Sequence, residues 1–456
     1  MDPEKELTGE ILEEFINKHK ARIPRYTDLM DMYKGDHEIK HMDEKEMGKP
    51  DNRLVVNFAK YIVDTLNGYF VGNPVKTIHD NKKVADAMKL IAKRNSQNDN
   101  NAELSKMCSI YGHAYEFIYQ DEEANTRVTY LEPTDGFVIY DDTIAQNPLY
   151  GVRVLTDDEG ETHGTIYSVD SEVDFNVNDD GDIVIDATGN DHYFNDVPLI
   201  EYIENEERQS AFENVETLIN AYNKALSEKA NDVDYFADAY LAILGVVLDE
   251  DTIKSIRDHR IINLKDGDVN KLVVEFLDKP NADTTQENLI ERLEKLIFQI
   301  SMVANISDEN FGTSAGIALK YKLLAMENVT LMKERKFTKG MMQRFKMMFN
   351  IPTNFGVADE DYLHIDYVFS RNVPNNLVEE AETADKLAGV TSKRTQLSVL
   401  SVVDNVQDEL DQIEEEEIEE TDKQSSYERD MNTPLVPRNE GGEANESVVD
   451  RVQTST

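Results

Sequence analysis

Clusters of carboxylates are the residues of this chain whose type and spacing could do chemistry. Asp141 and Asp142 are adjacent, and Asp179, Asp180 and Asp182 lie within four positions of one another. Paired carboxylates are the ligands of two-metal hydrolytic centres, so a metal-dependent, nuclease-like enzyme is one hypothesis. It predicts that these aspartates bind metal. No Lys or His motif accompanies them, and 91 acidic residues in 456 make such pairs expected by chance.

Other catalytic and metal-binding motifs have weaker support. The segment from Asn176 to Gly181 resembles the first half of a calcium loop, but its twelfth position is Ala187 instead of a bidentate Glu, which favours a hairpin turn. Cys108 and His113 are five residues apart beside a Tyr-Gly turn, a spacing typical of a helix end and its loop. We find no Walker motif and no His-Glu-x-x-His. The sequence therefore predicts no cofactor and no bound metal.

The charge balance restricts the partners of the chain. With 47 basic side chains the formal net charge is −44, which disfavours tight phosphate binding over a broad surface. A single cysteine cannot form an intrachain disulfide, which indicates a reducing compartment. The acidic start lacks a signal-peptide pattern, and the longest apolar run, Tyr240–Leu248, is about half a membrane span. We expect neither a cleaved signal nor insertion into a membrane.

Long helices around an antiparallel sheet are the elements that must position these residues, so the fold class is α+β and mainly helical. Alternating apolar segments predict the sheet between 114 and 202. Helical spacing, a capping box at Ser210-Ala-Phe-Glu213 and no interrupting glycine predict one helix from Ser210 to Gly245. The pattern predicts further helices over 5–33, from 54 to an end marked by the glycines and proline of Gly68–Val75, from 284, and from 316 to about 350.

A small α/β unit separates the two long helices that begin at 210 and 284. It is predicted as strand 246–248, helix 251–258 and strands 261–264 and 271–277. A polar loop, 305–316, then links the second long helix to the third. A stripe of Leu289, Leu293, Leu296 and Ile300 on the second helix indicates burial against other helices, those of neighbouring subunits included.

The third long helix is the basic element of an otherwise acidic chain. Residues 316–350 hold eight Lys or Arg against two Glu. Two interpretations stay open. The helix either neutralises acidic neighbours within an assembly, or it offers phosphate contacts through Lys320 and Lys322.

Read together, several stretches resemble the portal proteins of tailed bacteriophages, of the type found in long-tailed phages of Gram-positive hosts. The most distinctive runs from Asp308 to Leu324 and is followed by Lys333-Glu-Arg-Lys-Phe337. The others, in chain order, are Met32–Ile39, Asn57–Asp64 with Gly68–Val75, Tyr111–Tyr115, Val197–Asn205, Phe212–Asn223 and Phe369–Pro374. Their order and spread over residues 30 to 405 make the set specific.

The resemblance implies a non-enzymatic protein that forms a ring of twelve subunits at one capsid vertex. Double-stranded DNA would pass through its channel, and the ring would nucleate procapsid assembly. Its partners would be the terminase large subunit, a head-completion adaptor, and the scaffolding and major capsid proteins. It would lie in the virion, and in the host cytoplasm during assembly. A non-channel capsid or scaffold subunit is a further alternative, which would need no internal stalk-and-tip insertion.

The resemblance also assigns regions and site residues. The regions are wing 1–220, stem helix 221–247, clip 248–283, second stem helix 284–304, tunnel loop 305–316, bridging helix and wing strand 317–375, crown 376–420, and a disordered tail 421–456. The DNA-facing residues of the tunnel loop would be Asn310, Phe311, Gly312, Thr313 and Ser314. The clip residues for terminase and adaptor docking would be Lys254, Arg257, Arg260 and Lys265.

Overall fold

The computed structural model describes residues 1–46, 49–157, 161–178, 181–237, 241–244, 273–276, 283–306, 316–373, 377–400, 402–403 and 406–431. The chain divides into two compact units, Met1–Asn372 and Val373–Thr456.

The first unit opens with the helices α1 (Gly9–Lys20), α2 (Ile23–Lys34) and α3 (Phe58–Val71). The expected single helix over 5–33 is wrong, because Pro24 lies in the first turn of α2, where its missing N–H is tolerated, but would break a continuous helix. The expected helix end among the glycines and proline of Gly68–Val75 is confirmed, since α3 ends at Val71 with Gly72 as its C-cap residue.

Two further helices, α4 (Lys82–Arg94) and α5 (Gln97–Tyr111), lead into the antiparallel strands that the alternating pattern predicts. In chain order the strands are β1 (Lys76–Ile78), β2 (His113–Gln120), β3 (Thr126–Leu131), β4 (Gly136–Tyr140), β5 (Pro148–Thr156), β6 (Thr162–Tyr167), β7 (Ser171–Val177), β8 (Ile183–Ile185), β9 (Asn190–Asp191) and β10 (Leu199–Ile203).

Strands β2 to β10 form two sheets among the described residues, one in the order β10-β2-β3 and one in the order β4-β5-β6-β7-β8, with β9 pairing β7. The helix α1 buries Leu12 and Ile16 on the larger sheet.

The helix α6 (Glu216–Ala237) begins after a 3-10 turn at Glu213–Val215. The predicted Ser210–Glu213 box forms in part, since the Ser210 amide donates to Glu213 Oε2 at 3.0 Å.

The expected helix to Gly245 is wrong. The chain instead forms β11 (Leu241–Leu244), which pairs antiparallel with β12 (Val273–Phe276), so strand pairing overrides the helical pattern. The predicted strand 271–277 contains β12, while 246–248, 251–258 and 261–264 lie outside the described residues.

Two long helices follow, α7 (Asp283–Ser301) and α8 (Gly316–Phe349), and α8 matches the predicted third helix. Of the predicted stripe on α7, Leu293 is buried together with Ile290 and Ile297 on the side that faces α6, while Leu289 and Ile300 are exposed in the single chain. Burial of these two residues against neighbouring subunits stays a prediction. The short helix α9 (Pro352–Phe355) and β13 (Asp366–Val368), paired with β1, complete the first unit.

The second unit contains α10 (Leu377–Leu387), α11 (Lys393–Leu397) and α12 (Val406–Met431). The expectation of disorder from 421 is wrong for residues 421–431, which continue α12, since no proline occurs before Pro434. None of the helices that the structure describes is both long enough and apolar enough to cross a membrane.

Candidate functional site

The first feature of the candidate site is a buried cation that ties the middle of α8 to α5 and β10. Lys333 Nζ lies 2.7 Å from Glu204 Oε2, and it donates to Ser109 Oγ at 2.6 Å and to the Ser105 carbonyl at 3.0 Å. Both charged side chains are almost fully buried. A buried ammonium with its donors satisfied fixes the helix in register, because any shift would leave a charge unpaired.

A second buried ion pair lies three turns further along α8. Arg344 donates from Nε to Glu116 Oε2 at 2.8 Å, and its Nη2 lies 2.6 Å from Glu116 Oε1. Tyr202 on β10 donates to the same carboxylate at 2.9 Å. Burial alone would lower the pKa of the Arg344 guanidinium, but the attraction of Glu116 outweighs it and raises that pKa. The guanidinium therefore stays charged inside the protein.

Between these two pairs, the backbone of α8 packs directly against a side chain of β10. Gly340 faces the Tyr202 ring so closely that a Cβ there would lie 2.5 Å from Cε1. Glycine is thus required by the close approach of helix and sheet.

Two more cations of α8 pair with acids of the same chain, Lys346 with Asp196 at 2.7 Å and Lys336 with Glu206. Four cations of the basic helix, Lys333, Lys336, Arg344 and Lys346, thus neutralise acids of their own chain. Neutralisation of neighbours within an assembly stays a prediction.

The start of the predicted tunnel loop and the residue before it are held by α3. Tyr61 donates its hydroxyl proton to the Ala304 carbonyl at 3.2 Å and accepts from the Ile306 amide at 2.8 Å. The chain is therefore anchored on both sides of the loop, by Tyr61 before it and by α8 after it.

The structure locates only some of the residues that the sequence singles out. Lys320 and Lys322 are exposed in the first turns of α8. The tunnel-loop residues Asn310, Phe311, Gly312, Thr313 and Ser314 lie outside the described residues. So do the clip residues Lys254, Arg257, Arg260 and Lys265. All of these assignments stay predictions.

The residues considered for catalysis are engaged in structural contacts where the structure describes them. Asp141 accepts from Thr143 and Asn147, which caps its own turn. Cys108 donates to the Tyr202 carbonyl, and burial raises the pKa of its thiol. His113 contacts Tyr26 and Glu201 and makes no described contact with Cys108. Asp179 and Asp180 lie outside the described residues, and Asp182 is exposed beside the β7–β8 hairpin turn.

Two adjoining cavities, of about 390 and 670 Å³, share the side chains of Glu201, Arg208, Tyr140 and Gln146. Glu201 is buried and accepts from Arg208 Nε at 2.7 Å, from Tyr140 at 2.6 Å and from His113 Nδ1 at 2.9 Å. Burial raises the pKa of this carboxyl, but the bonds from Arg208 and His113 outweigh it and hold the pKa well below its usual range. Within the described ranges, no group of three or more His, Cys, Asp or Glu side chains could hold a metal ion.

Sequence reasoning missed Glu204, Glu116, Tyr202 and Tyr61. The signal for the first three was present only in part, as charged and aromatic residues inside apolar strand patterns. Such residues need a partner when they are buried.

Long helices fixed to a sheet by buried ion pairs place the described chain in the α+β, mainly helical class. A comparison with protein-family models matches residues 12–423 to the phage portal proteins of the SPP1 Gp6-like type. The chain therefore belongs to this family of phage portal proteins. As a portal protein it has the portal fold, and it is a component of the virion capsid.

Curated relatives are similar over most of their length. A portal protein of Clostridium phage phiCD119 is 25% identical over 383 residues, which cover 77% of this chain and 82% of that protein. A portal protein of Bacillus phage SPP1 is 23% identical over 378 residues, which cover 77% of this chain and 73% of that protein. Among solved structures, a chain from the neck of an empty GTA particle aligns with a TM-score of 0.45 and 12% identity, covering 82% of this chain and 93% of that one.

Proposed function

We propose that this portal protein assembles into a ring of twelve subunits at one capsid vertex, and that double-stranded DNA is packaged and ejected through the channel of the ring. The observation that carries the proposal is the family match over residues 12–423, which spans the sheet, the long helices and the predicted loop. The ring is a conduit without catalytic activity of its own, and it nucleates procapsid assembly in the host cytoplasm.

The proposed tunnel loop, 305–316, contacts DNA but binds it only weakly. Asn310, Thr313 and Ser314 are short polar side chains, which suit weak contacts with a sliding backbone. Each phosphate that a cation neutralises adds affinity for DNA, so weak contact requires few cations. Only Lys320 and Lys322, just beyond the loop, would offer phosphate contacts. The anchors at Tyr61 and along α8 support this proposal, because a loop with fixed ends keeps its place while DNA moves past.

The charge of the chain suits passage of DNA. At −44 for each chain, twelve copies carry several hundred negative charges around a polyanion. Repulsion of this kind discourages DNA from adhering to the channel wall.

The proposed clip, 248–283, is the docking site of the terminase large subunit and later of a head-completion adaptor. Lys254, Arg257, Arg260 and Lys265 would contribute to it. The terminase supplies the ATPase activity. Scaffolding and major capsid proteins would contact the ring during assembly.

Electron microscopy of the purified protein, with its mass measured in solution, tests the ring. We expect particles with a central hole and a mass near twelve subunits. A compact dimer or tetramer without a hole would contradict the proposal and would favour the acidic-cluster enzyme.

Replacement of residues 245–272, which contain most of the proposed clip, tests its docking role. Leu244 and Val273 are register partners in the β11–β12 pair, so an Asn-Gly turn can join them in place of 245–272. We expect rings to form but terminase and adaptor binding to be lost. As a control, a variant that carries Asn-Gly after Leu244 and keeps residues 245–272 should bind both partners. DNA packaging by the deleted variant would show that the clip is assigned wrongly.

A further inference from the structure

The smaller of the two adjoining cavities, of about 390 Å³, is lined by side chains of α1, β2, β4 and β10. Three of its lining residues, Lys18, Arg22 and Gln146, are exposed, so the cavity opens to solvent. Phe15 and Phe137 provide aromatic walls. Sites for small molecules are concave, largely apolar and of this size, with a few polar groups that orient the ligand. The cavity therefore has the volume and the walls of a small-molecule site.

Tyr115 brings to this cavity a buried hydroxyl that has no hydrogen-bond partner in the described part of the chain. The side chain is only 4% exposed. The groups that act electrostatically on its hydroxyl all line the same cavity, and they are Glu201, Tyr140, Tyr26 and Arg208. Burial raises the pKa of the Tyr115 hydroxyl, so it stays protonated and can donate. A buried donor without an acceptor costs free energy, which a bound acceptor would recover.

The cations that line the cavity outnumber its acids. Glu201 is the one carboxylate among the lining residues, and it accepts from both Nε and Nη2 of Arg208, so this pair is neutral. Arg22 has no carboxylate partner within the described ranges, and Lys18 lies 4.0 Å from the exposed Glu14, a weak pair. The cavity therefore offers a ligand an uncompensated positive charge and free hydrogen-bond donors.

From the aromatic walls, the Tyr115 hydroxyl and the uncompensated Arg22 we infer that this cavity binds a small aromatic carboxylate. Both donors lie near the Tyr26 hydroxyl, so one carboxylate can reach them together. A guanidinium and a hydroxyl match the two oxygens of a carboxylate, and the ligand ring would pack against Phe15 and Phe137. The inference does not depend on assembly into a ring. Such an acid is either free in solution or the C-terminal residue of a polypeptide.

Isothermal titration of the purified full chain tests the site with three probes. They are 3-phenylpropionate, its neutral amide, and the peptide N-acetyl-Gly-Gly-Phe with a free C-terminal carboxylate. We expect the propionate to bind, and the amide to bind about tenfold more weakly because it lacks the charge that Arg22 recognises. Tighter binding of the peptide would assign the ligand to a polypeptide C-terminus, and tighter binding of the propionate would assign it to a free acid.

Two variants and two matched controls locate the binding. Arg22→Gln and Tyr115→Phe should each weaken binding of 3-phenylpropionate about tenfold. Arg94→Gln and Tyr193→Phe, at exposed positions that line neither cavity, should bind it as the wild type does. Thermal melts accompany the titrations, and Tyr115→Phe should melt no lower than the wild type, because its hydroxyl has no partner in the chain to lose.

Three results would overturn the inference. The first is the absence of saturable binding of 3-phenylpropionate and of the peptide at millimolar concentration. The second is equal binding of the propionate and its amide, or unchanged binding by both cavity variants. The third is a lower melting temperature of Tyr115→Phe, which would mean that the hydroxyl already has a partner within the chain.

Discussion

Arg344 and Glu116 illustrate, at the residue scale, what holds the basic helix. Each side chain is only 1% exposed, so neither charge has water to replace its partner. Arg344→Met should lower the free energy of unfolding by about 3–5 kcal/mol, because Glu116 is left buried and unpaired. Urea unfolding of the purified variant measures this.

The exposed Arg335→Met, on the same helix, is the matched control and should change stability by less than about 0.5 kcal/mol. The double variant Arg344→Met/Glu116→Leu should recover much of the loss, since an apolar pair leaves no buried charge. Equal effects of Arg344→Met and Arg335→Met would contradict the assigned role of the buried pair.

Glu201 should make the protein sensitive to acid. Its pKa is held low in the folded state, while an unfolded Glu has a pKa of about 4.3. Below about pH 4.3 the unfolded state therefore binds a proton that the folded state does not, and stability falls as the pH falls towards the folded pKa. Above that pH the contribution is fully present. Thermal melts between about pH 3 and 5 should show a shallower dependence for Glu201→Gln than for Glu10→Gln, an exposed control. Parallel curves for the two variants would refute this.

At the element scale, two helical glycines make a matched pair. Gly340 on α8 has Tyr202 where a Cβ would be, whereas Gly68 on α3 has nothing within 4 Å. Gly340→Ala should destabilise by about 1–3 kcal/mol through overpacking, and Gly68→Ala should stabilise by up to about 1 kcal/mol through helix propensity. Denaturant midpoints of the two variants measure both. A neutral Gly340→Ala would mean that α8 does not lie as close to β10 as described.

The elements also show how far the sequence determines the fold. Periodicity predicted α8 to within a residue and the sheet region correctly, because these patterns are local. Periodicity failed where pairing with a distant segment determines the secondary structure. Leu241–Leu244 is a strand because Val273–Phe276 pairs with it. The pairing of Lys333 with Glu204 could not be predicted either, since neither residue's neighbours indicate the other. The basic composition of α8 predicted neutralisation but not which acids provide it.

At the scale of the whole molecule, the two compact units differ in their cores. The hydrophobic clusters lie in Met1–Asn372, whereas Ala384 is the buried hydrophobic residue found in the described part of Val373–Thr456. A fragment of residues 1–372 should therefore keep the main thermal transition of the full chain. A fragment of 373–456 should show no cooperative transition on its own, because it buries too little apolar surface. Circular dichroism melts of the two fragments check this, and a cooperative melt of 373–456 would disprove it.

The pairing of β11 with β12 has a consequence for how such a protein can diversify. Because Leu244 and Val273 are partners in one ladder, the segment between them, 245–272, begins and ends at the same place in the structure. A segment attached in this way behaves as a cassette: it can be lengthened, shortened or replaced without moving its neighbours. Selection can then alter this segment while the sheet and helices around it are inherited unchanged.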